Sequence, residues 1–212
     1  MKKHNFKKNY YECLAKLVLE NALPETFDDL ELTDKPDLKK TDQIGIEVTR
    51  TFFEGEAHAD GIFESIKMKP YSEALFEKEQ KLQQLGYKLM VYNGIVCGYY
   101  PKEAFWVSDR ELKKSFEDKL SKLADYSTKH TFLFVFTPGF GLYDESDMDE
   151  FVNWAAMRQK DCNPKYESIF VFQWKDLYVC NLLQTSVRRI PLSDTVISEC
   201  CQKAKEHADE HS

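Results

Sequence analysis

The chain has 212 residues, 42% hydrophobic and 14% aromatic, a composition that can build a buried core and is not that of a disordered protein. Its 29 basic and 36 acidic residues give a net charge of −7, which argues against a protein that coats nucleic acid through a basic surface. Because no linker divides the sequence, we predict a single domain over residues 1–212.

The cysteines and the apolar runs indicate the compartment. No two cysteines form a CxxC pair, so we interpret all six as reduced thiols, as in a cytoplasmic protein. No apolar run approaches the roughly 18 residues of a membrane span, and no apolar stretch follows the basic N-terminus. We therefore expect a cytoplasmic protein without a membrane partner. The cysteines are Cys13, Cys97, Cys162, Cys180, Cys200 and Cys201.

The N-terminal segment predicts a helix over residues 10–21, because Leu14, Leu17 and Val18 share one face at about 100° per residue. Glu20 lies at the border of that face, whereas Glu12 points away from it. Residues 27–38 are acidic, and we expect irregular structure there with a short strand near residues 30–32.

Residues 44–52 alternate between apolar and polar side chains, which predicts a β-strand. The apolar residues 44, 46 and 48 face one side of this strand. Glu47 and Thr49 face the other side, where a carboxylate is unusual inside a small α/β protein.

The middle of the chain predicts a loop with some helix over residues 53–70, then a helix over 72–85 that Ser72 caps and Gly86 ends. Lys78 falls within the apolar arc of that helix, among residues such as Phe76. Asn93-Gly94 predicts a type I′ hairpin within residues 87–100.

The second half predicts further helices and strands. Ser108 with Glu111 forms a capping box for a helix to about residue 126, and residues 131–137 are apolar enough for a strand buried on both faces. Ser146 with Asp149 begins another helix, residues 168–182 form a hairpin, and a short amphipathic helix follows residue 192. This order predicts an α/β (α+β) fold with a central mixed β-sheet flanked by helices.

Three carboxylates of the first half can meet at one site. Glu47 lies in the strand, Asp37 lies just ahead of it, and Glu20 on the first helix can supply a third oxygen ligand. Two or three converging carboxylates are the ligands that Mg²⁺ uses in phosphodiester-cleaving sites. With Thr49, which shares the face of Glu47, four positions from three elements can therefore meet at one place.

A known family shows a similar pattern. Pro36-Asp37, then nine residues, then Glu47-Val48-Thr49, after a helix that carries Glu20, resembles the PD-(D/E)XK nuclease superfamily. The resemblance implies a restriction-endonuclease-like αβββαβ core over about residues 8–140, with a helix and hairpin extension over 141–212. It also implies that Asp37 and Glu47 bind Mg²⁺ or Mn²⁺, that Glu20 is an accessory acid and that DNA is the substrate.

Thr49 departs from that family, because it stands where the motif carries lysine and its hydroxyl supplies no positive charge. One interpretation is that Lys78 reaches the site as the catalytic cation, since an unpaired lysine on an apolar helix face is costly. Another is that the site is inactive and the chain is a binding or interaction module. A third is an unrelated mixed α/β fold in which the motif is accidental. The sequence does not decide whether the chain forms a homodimer.

Each candidate residue also has a structural interpretation. Glu47 suits the wet face of an antiparallel sheet, and Asp37 after a proline is an ordinary turn residue. Glu20 suits a solvated helix flank, and Lys78 suits a side chain whose stem packs while its ammonium reaches water.

Overall fold

The structure, a computed structural model, describes residues 6–51, 55–102, 109–125, 128–137 and 143–210. The chain divides into two compact units, one of residues 1–51 and 109–212 and the other of residues 52–108. The helices are α1 (Phe6–Ala22), α2 (Pro24–Phe27), α3 (Glu56–Glu64), α4 (Phe76–Gln84), α5 (Arg110–Leu120), α6 (Glu145–Arg158) and α7 (Asp194–Glu210). The strands are β1 (Glu31–Leu32), β2 (Leu38–Lys40), β3 (Ile44–Arg50), β4 (Tyr87–Tyr92), β5 (Ile95–Pro101), β6 (His130–Phe136), β7 (Ser168–Gln173), β8 (Asp176–Asn181) and β9 (Ser186–Pro191).

The first unit is built on a seven-stranded sheet in the order β1-β2-β3-β6-β7-β8-β9. Strands β3, β6 and β7 run parallel to one another, while all other neighbours are antiparallel. The predicted mixed sheet with helices is therefore confirmed. The parallel strands occupy the centre, where the apolar run of β6 is buried on both faces, as predicted.

Helices α1 and α7 pack on one face of this sheet. Val18 and Leu19 of α1 and Ala204 of α7 share a core with Val48 of β3 and Phe134 of β6. Full burial of each large apolar side chain stabilises the fold by roughly 1.5–3 kcal/mol. Since successive residues of a strand point to opposite faces, Glu47 and Thr49 face away from α1, towards α5 and α6.

The second unit places α3 and α4 against the β4–β5 hairpin. Phe63, Ile66, Leu82 and Val96 form its core. The hairpin turn has positive φ at Asn93 (48°) and Gly94 (74°), the type I′ geometry that the sequence predicts.

Two predicted helix starts are wrong. Ser72 makes no capping hydrogen bond, and α4 begins at Phe76 after a single 3₁₀ turn. Helix α6 is capped by Asp144, which forms a reciprocal capping box with Asp147, two residues before the predicted pair. A carboxylate is a stronger acceptor than a hydroxyl and interacts favourably with the helix dipole, so Asp144 takes the cap.

Other differences concern the C-terminal half and one face of α4. The terminal helix has 17 residues rather than being short, and β9 extends the predicted hairpin by a third strand. Phe76, predicted on the apolar face of its helix, is 58% exposed. The proposed cap at Ser108 lies outside the described residues.

Tyr87 gives a test of the core of the second unit. Burial, with Glu56 and Asp60 nearby, raises the pKa of its phenol to about 12. An unfolded tyrosine ionises near pH 10. The contribution of this group to the free energy of unfolding is therefore fully present below pH 10 and is lost as pH rises towards 12. Among the described residues its buried hydroxyl has no hydrogen-bond partner.

We therefore expect Tyr87→Phe to raise the free energy of unfolding at pH 7 by about 1 kcal/mol, because an unsatisfied buried hydroxyl is removed. Above pH 10 the variant should lose stability less steeply than the wild type. Urea unfolding at several pH values measures both effects. Equal pH dependence in the two proteins would contradict the proposed environment of this phenol.

Candidate active site at Asp37 and Glu47

Asp37 and Glu47 are neighbours at the point where β2 begins to pair with β3. The β2–β3 register pairs Leu38 with Ile46, and continuing it by one position brings Asp37 opposite Glu47. Directly opposed residues of antiparallel strands point to the same face, with Cβ atoms about 5 Å apart. Both are buried, with Asp37 5% and Glu47 7% exposed. Two carboxylates, ten positions apart in sequence, thus share one buried corner.

The approach to β2 fixes the position of Asp37. Its Oδ2 accepts a hydrogen bond of 2.8 Å from the backbone N–H of Val48, the residue after Glu47. Its own carbonyl accepts one of 2.9 Å from the N–H of Thr33. The buried carboxylate therefore satisfies a backbone donor of β3 at the point where β2 begins, and its direction is set by that contact.

Gly45 makes room for this arrangement. A Cβ added there would lie 2.7 Å from Cγ of Pro36 and 2.5 Å from Oγ1 of Thr128. Pro36 directly precedes Asp37, so the missing side chain at Gly45 lets the β2 approach lie against β3. The geometry of the corner thus depends on a close approach of two backbones.

We expect Gly45→Ala to lower the free energy of unfolding by about 1–3 kcal/mol, as overpacking of a filled site does. Gly61→Ala is the contrasting variant, because no atom lies within 4 Å of an added Cβ on α3. Alanine should there raise helix stability by up to about 1 kcal/mol. Chemical denaturation compares the two, and a stabilising effect of Gly45→Ala would contradict the close packing.

Lys119 supplies a cation to this corner. Its ammonium forms an ion pair with Oε1 of Glu47, and the two side chains are 19% and 9% exposed. Lys119 lies in α5 three residues after Phe116 and seven after Leu112, both fully buried, so the helix directs it onto the sheet. The sequence contains this signal, a lysine on the apolar stripe of a helix, and Lys78 on α4 shows the same signal.

Lys78 lies in the second unit. Its ammonium donates a 2.8 Å hydrogen bond to the hydroxyl of Ser65. It is half-buried on α4, so its stem packs as the structural interpretation expects.

Glu20 has local partners on α1. Its Oε1 accepts from the ammonium of Lys16 and, over 3.1 Å, from the backbone N–H of Leu30. Helix α1 packs on the face of the sheet opposite to Glu47. Through its bond to Leu30, Glu20 links α1 to the residue that precedes β1. Glu12, predicted to point away from the apolar face, is instead only 8% exposed.

Thr49 is half-buried and shares the face of Glu47, two residues further along β3. The parallel register pairs it with Val135 of β6. Its hydroxyl is a neutral donor and acceptor next to the carboxylate pair.

The donor set fits a hard divalent cation. Mg²⁺ is commonly held by one or two carboxylates, with water and substrate phosphate completing its shell, and Asp37 and Glu47 supply two. No cluster of three or more His, Cys, Asp or Glu suited to a metal occurs among the described residues. A cation held by Asp37 and Glu47 would need its remaining ligands from water or from a bound molecule.

A separate cavity of about 490 Å³ lies at the start of α6, against the carboxyl end of β7. It is lined by Tyr143, Asp144, Glu145, Ser146, Gln173, Asp176, Tyr178 and Arg189. Arg189 donates a 2.8 Å hydrogen bond to Asp176, which raises the pKa of the guanidinium. Through the strand register, Tyr178 stands three strands from Thr49, or roughly 14 Å at about 4.8 Å per strand.

The described part of the chain contains no helix with the length and apolarity that a bilayer crossing requires. Comparisons with protein-family models, with curated proteins and with solved structures found no match to this chain.

Proposed function

We propose that the chain is a metal-dependent nuclease of the PD-(D/E)XK type that hydrolyses DNA phosphodiester bonds. One observation carries this proposal: Asp37 and Glu47 are both buried where β2 begins to pair with β3, with the ammonium of Lys119 on Glu47. Burying two carboxylates close together costs free energy through desolvation and mutual repulsion. A cation-binding site is the function that best accounts for this cost.

The order of elements supports the same proposal. Helix α1 precedes three antiparallel strands, β1 to β3, and β6 pairs parallel to β3 after the second unit, with its β4–β5 hairpin, and helix α5. With the second unit and the short α2 treated as insertions, this is the order of an αβββαβ core. The resemblance assigns the acids of the PD-(D/E)XK motif to Asp37, which directly precedes β2, and to Glu47 within β3.

Each residue then has a role in hydrolysis. Asp37 and Glu47 would hold Mg²⁺ or Mn²⁺, which supplies charge neutralisation at the phosphate and acidity to water. Lys119 takes the role of the motif lysine in place of Lys78, because its ammonium already lies at the carboxylate of Glu47. The hydroxyl of Thr49 can donate a hydrogen bond to a phosphate oxygen. Glu20 keeps its bonds to Lys16 and Leu30 and supports the fold around the corner.

Incubation of the purified protein with labelled single- and double-stranded DNA tests this function. We expect cleavage with Mg²⁺ or Mn²⁺ and none with EDTA. Absence of cleavage on both substrates, under conditions where the protein is folded, would contradict nuclease activity.

The cavity at α6 favours a second function, a binding module on the same scaffold. It combines Arg189, three carboxylates and buried tyrosines, a mixture suited to a small polar ligand. A chain that neither cleaves DNA nor gains thermal stability with Mn²⁺ would support this function instead.

A further inference from the structure

The second unit carries an exposed sheet surface. Strands β4 and β5 pair, and residues 68–71 extend them on the other side of β5 through a Pro70–Ile95 bridge. The N–H of Val96 donates to the carbonyl of Lys69 over 3.0 Å. Three adjacent segments thus form one small sheet.

The outer face of this sheet is apolar and aromatic. The register pairs Lys88 with Tyr100, Met90 with Gly98 and Tyr92 with Ile95, alternating with the core residues on the inner face. Tyr92 is 71% exposed and Met90 46%. We call Lys88, Met90, Tyr92, Ile95 and Tyr100 the hairpin surface. Tyr92 and Tyr100 lie at opposite ends of this face, four residues or roughly 13 Å apart along the strand direction, with Met90 between them. Contiguous exposed apolar surface of this kind often marks a binding site.

The charges of the sheet have one sign. Residues 67–71 and 87–102 contain four lysines and no acid. The acids of the described part of this unit lie elsewhere, on α3, on α4 and at Glu73 in the 3₁₀ turn before α4. Neither Lys69 nor Lys88 forms an ion pair among the described residues, and both are exposed. A ligand of this face should therefore be anionic and should offer flat apolar rings.

We propose that the hairpin surface binds single-stranded nucleic acid, with bases stacked on Tyr92 and Tyr100 and a phosphate at Lys88. Aromatic side chains on a strand accept any base, and lysines follow the backbone. Paired duplex bases do not expose their faces to such rings. The biological role of this surface rests on the proposed function. Binding here would identify single-stranded DNA as the form of the substrate.

Fluorescence anisotropy of a labelled oligothymidylate in EDTA measures this binding without cleavage. Tyr92→Ala should weaken binding at least about fivefold, the lower end of the contribution of one stacked base. Lys88→Ala should weaken binding and reduce the slope of log affinity against log salt by about 0.7, as for one lost phosphate contact.

Two variants serve as matched controls. Trp174→Ala removes an aromatic ring that is 69% exposed in the first unit, and Lys81→Ala removes an exposed lysine on α4. Both should bind like the wild type. Circular dichroism checks that every variant is folded.

Three results would overturn the proposal. These are no binding by the wild type, equal affinity of Tyr92→Ala and the controls, or tighter binding of duplex than of single strand. Self-association in sedimentation that Tyr92→Ala abolishes would instead assign the hairpin surface to a second copy of the chain. Because binding is measured in EDTA, it is independent of cleavage. A protein that does not bind through the hairpin surface can still cleave DNA, and a protein that binds can lack cleavage.

Discussion

Glu47→Gln is expected to lower the rate of divalent-dependent DNA cleavage by more than about 100-fold. Glutamine keeps the shape of the side chain but removes the negative charge that would hold the cation. Changes that affect only the partners of metal ligands already cost up to about 100-fold, so loss of a direct ligand should exceed this. The buried position of Glu47, 7% exposed, leaves little space for water to replace the missing oxygen charge.

Cleavage of a labelled strand at saturating Mn²⁺ measures this effect. Glu150→Gln is the matched control, since it removes an exposed carboxylate on α6 of the same unit. Thermal unfolding shows whether Glu47→Gln remains folded. Full cleavage by a folded Glu47→Gln would remove Glu47 from the site.

Lys119→Met should have the second large effect. It should lower the stability of the protein and raise its affinity for the metal. Without its ammonium, Glu47 becomes a buried charge without its cationic partner, and breaking a buried pair in this way costs about 3–5 kcal/mol. Added Mn²⁺ should restore most of this stability and bind more tightly than to the wild type, because Lys119 no longer competes for Glu47. Cleavage should nevertheless fall, because the catalytic cation is absent.

Chemical denaturation with and without Mn²⁺ and a cleavage assay measure the three effects. Lys114→Met, an exposed lysine of α5, is the control and should change none of them. The double variant Glu47→Gln with Lys119→Met should recover most of the stability lost in Lys119→Met, since neither charge of this pair remains. A loss of stability that Mn²⁺ does not restore would make the ion pair purely structural.

The sequence pattern predicts the elements whose structure depends only on neighbouring residues. The alternation over residues 44–52 predicted β3 and placed Glu47 on the face opposite Val48, and the apolar run predicted β6. Asn93-Gly94 predicted the hairpin because both residues need positive φ. These features depend on one strand or turn, so a window of a few residues contains the determining information.

The partners of the site depend on distant parts of the chain. Lys119 meets Glu47 across 72 positions and a whole intervening unit, and helical spacing gives the face of a lysine but not the strand it faces. The same limit explains Lys78, whose apolar arc belongs to the second unit. Gly45 is invisible in the pattern, because its role is to leave space for Pro36 and Thr128.

Titration of the purified protein with Mn²⁺ by calorimetry tests most directly whether the two acids of this corner form one cation site. We predict that the wild type binds Mn²⁺ and that binding is lost both in Asp37→Asn and in Glu47→Gln, with Glu150→Gln unchanged. Binding that survives in both variants, or a folded wild type that binds no Mn²⁺, would contradict a shared metal site at Asp37 and Glu47.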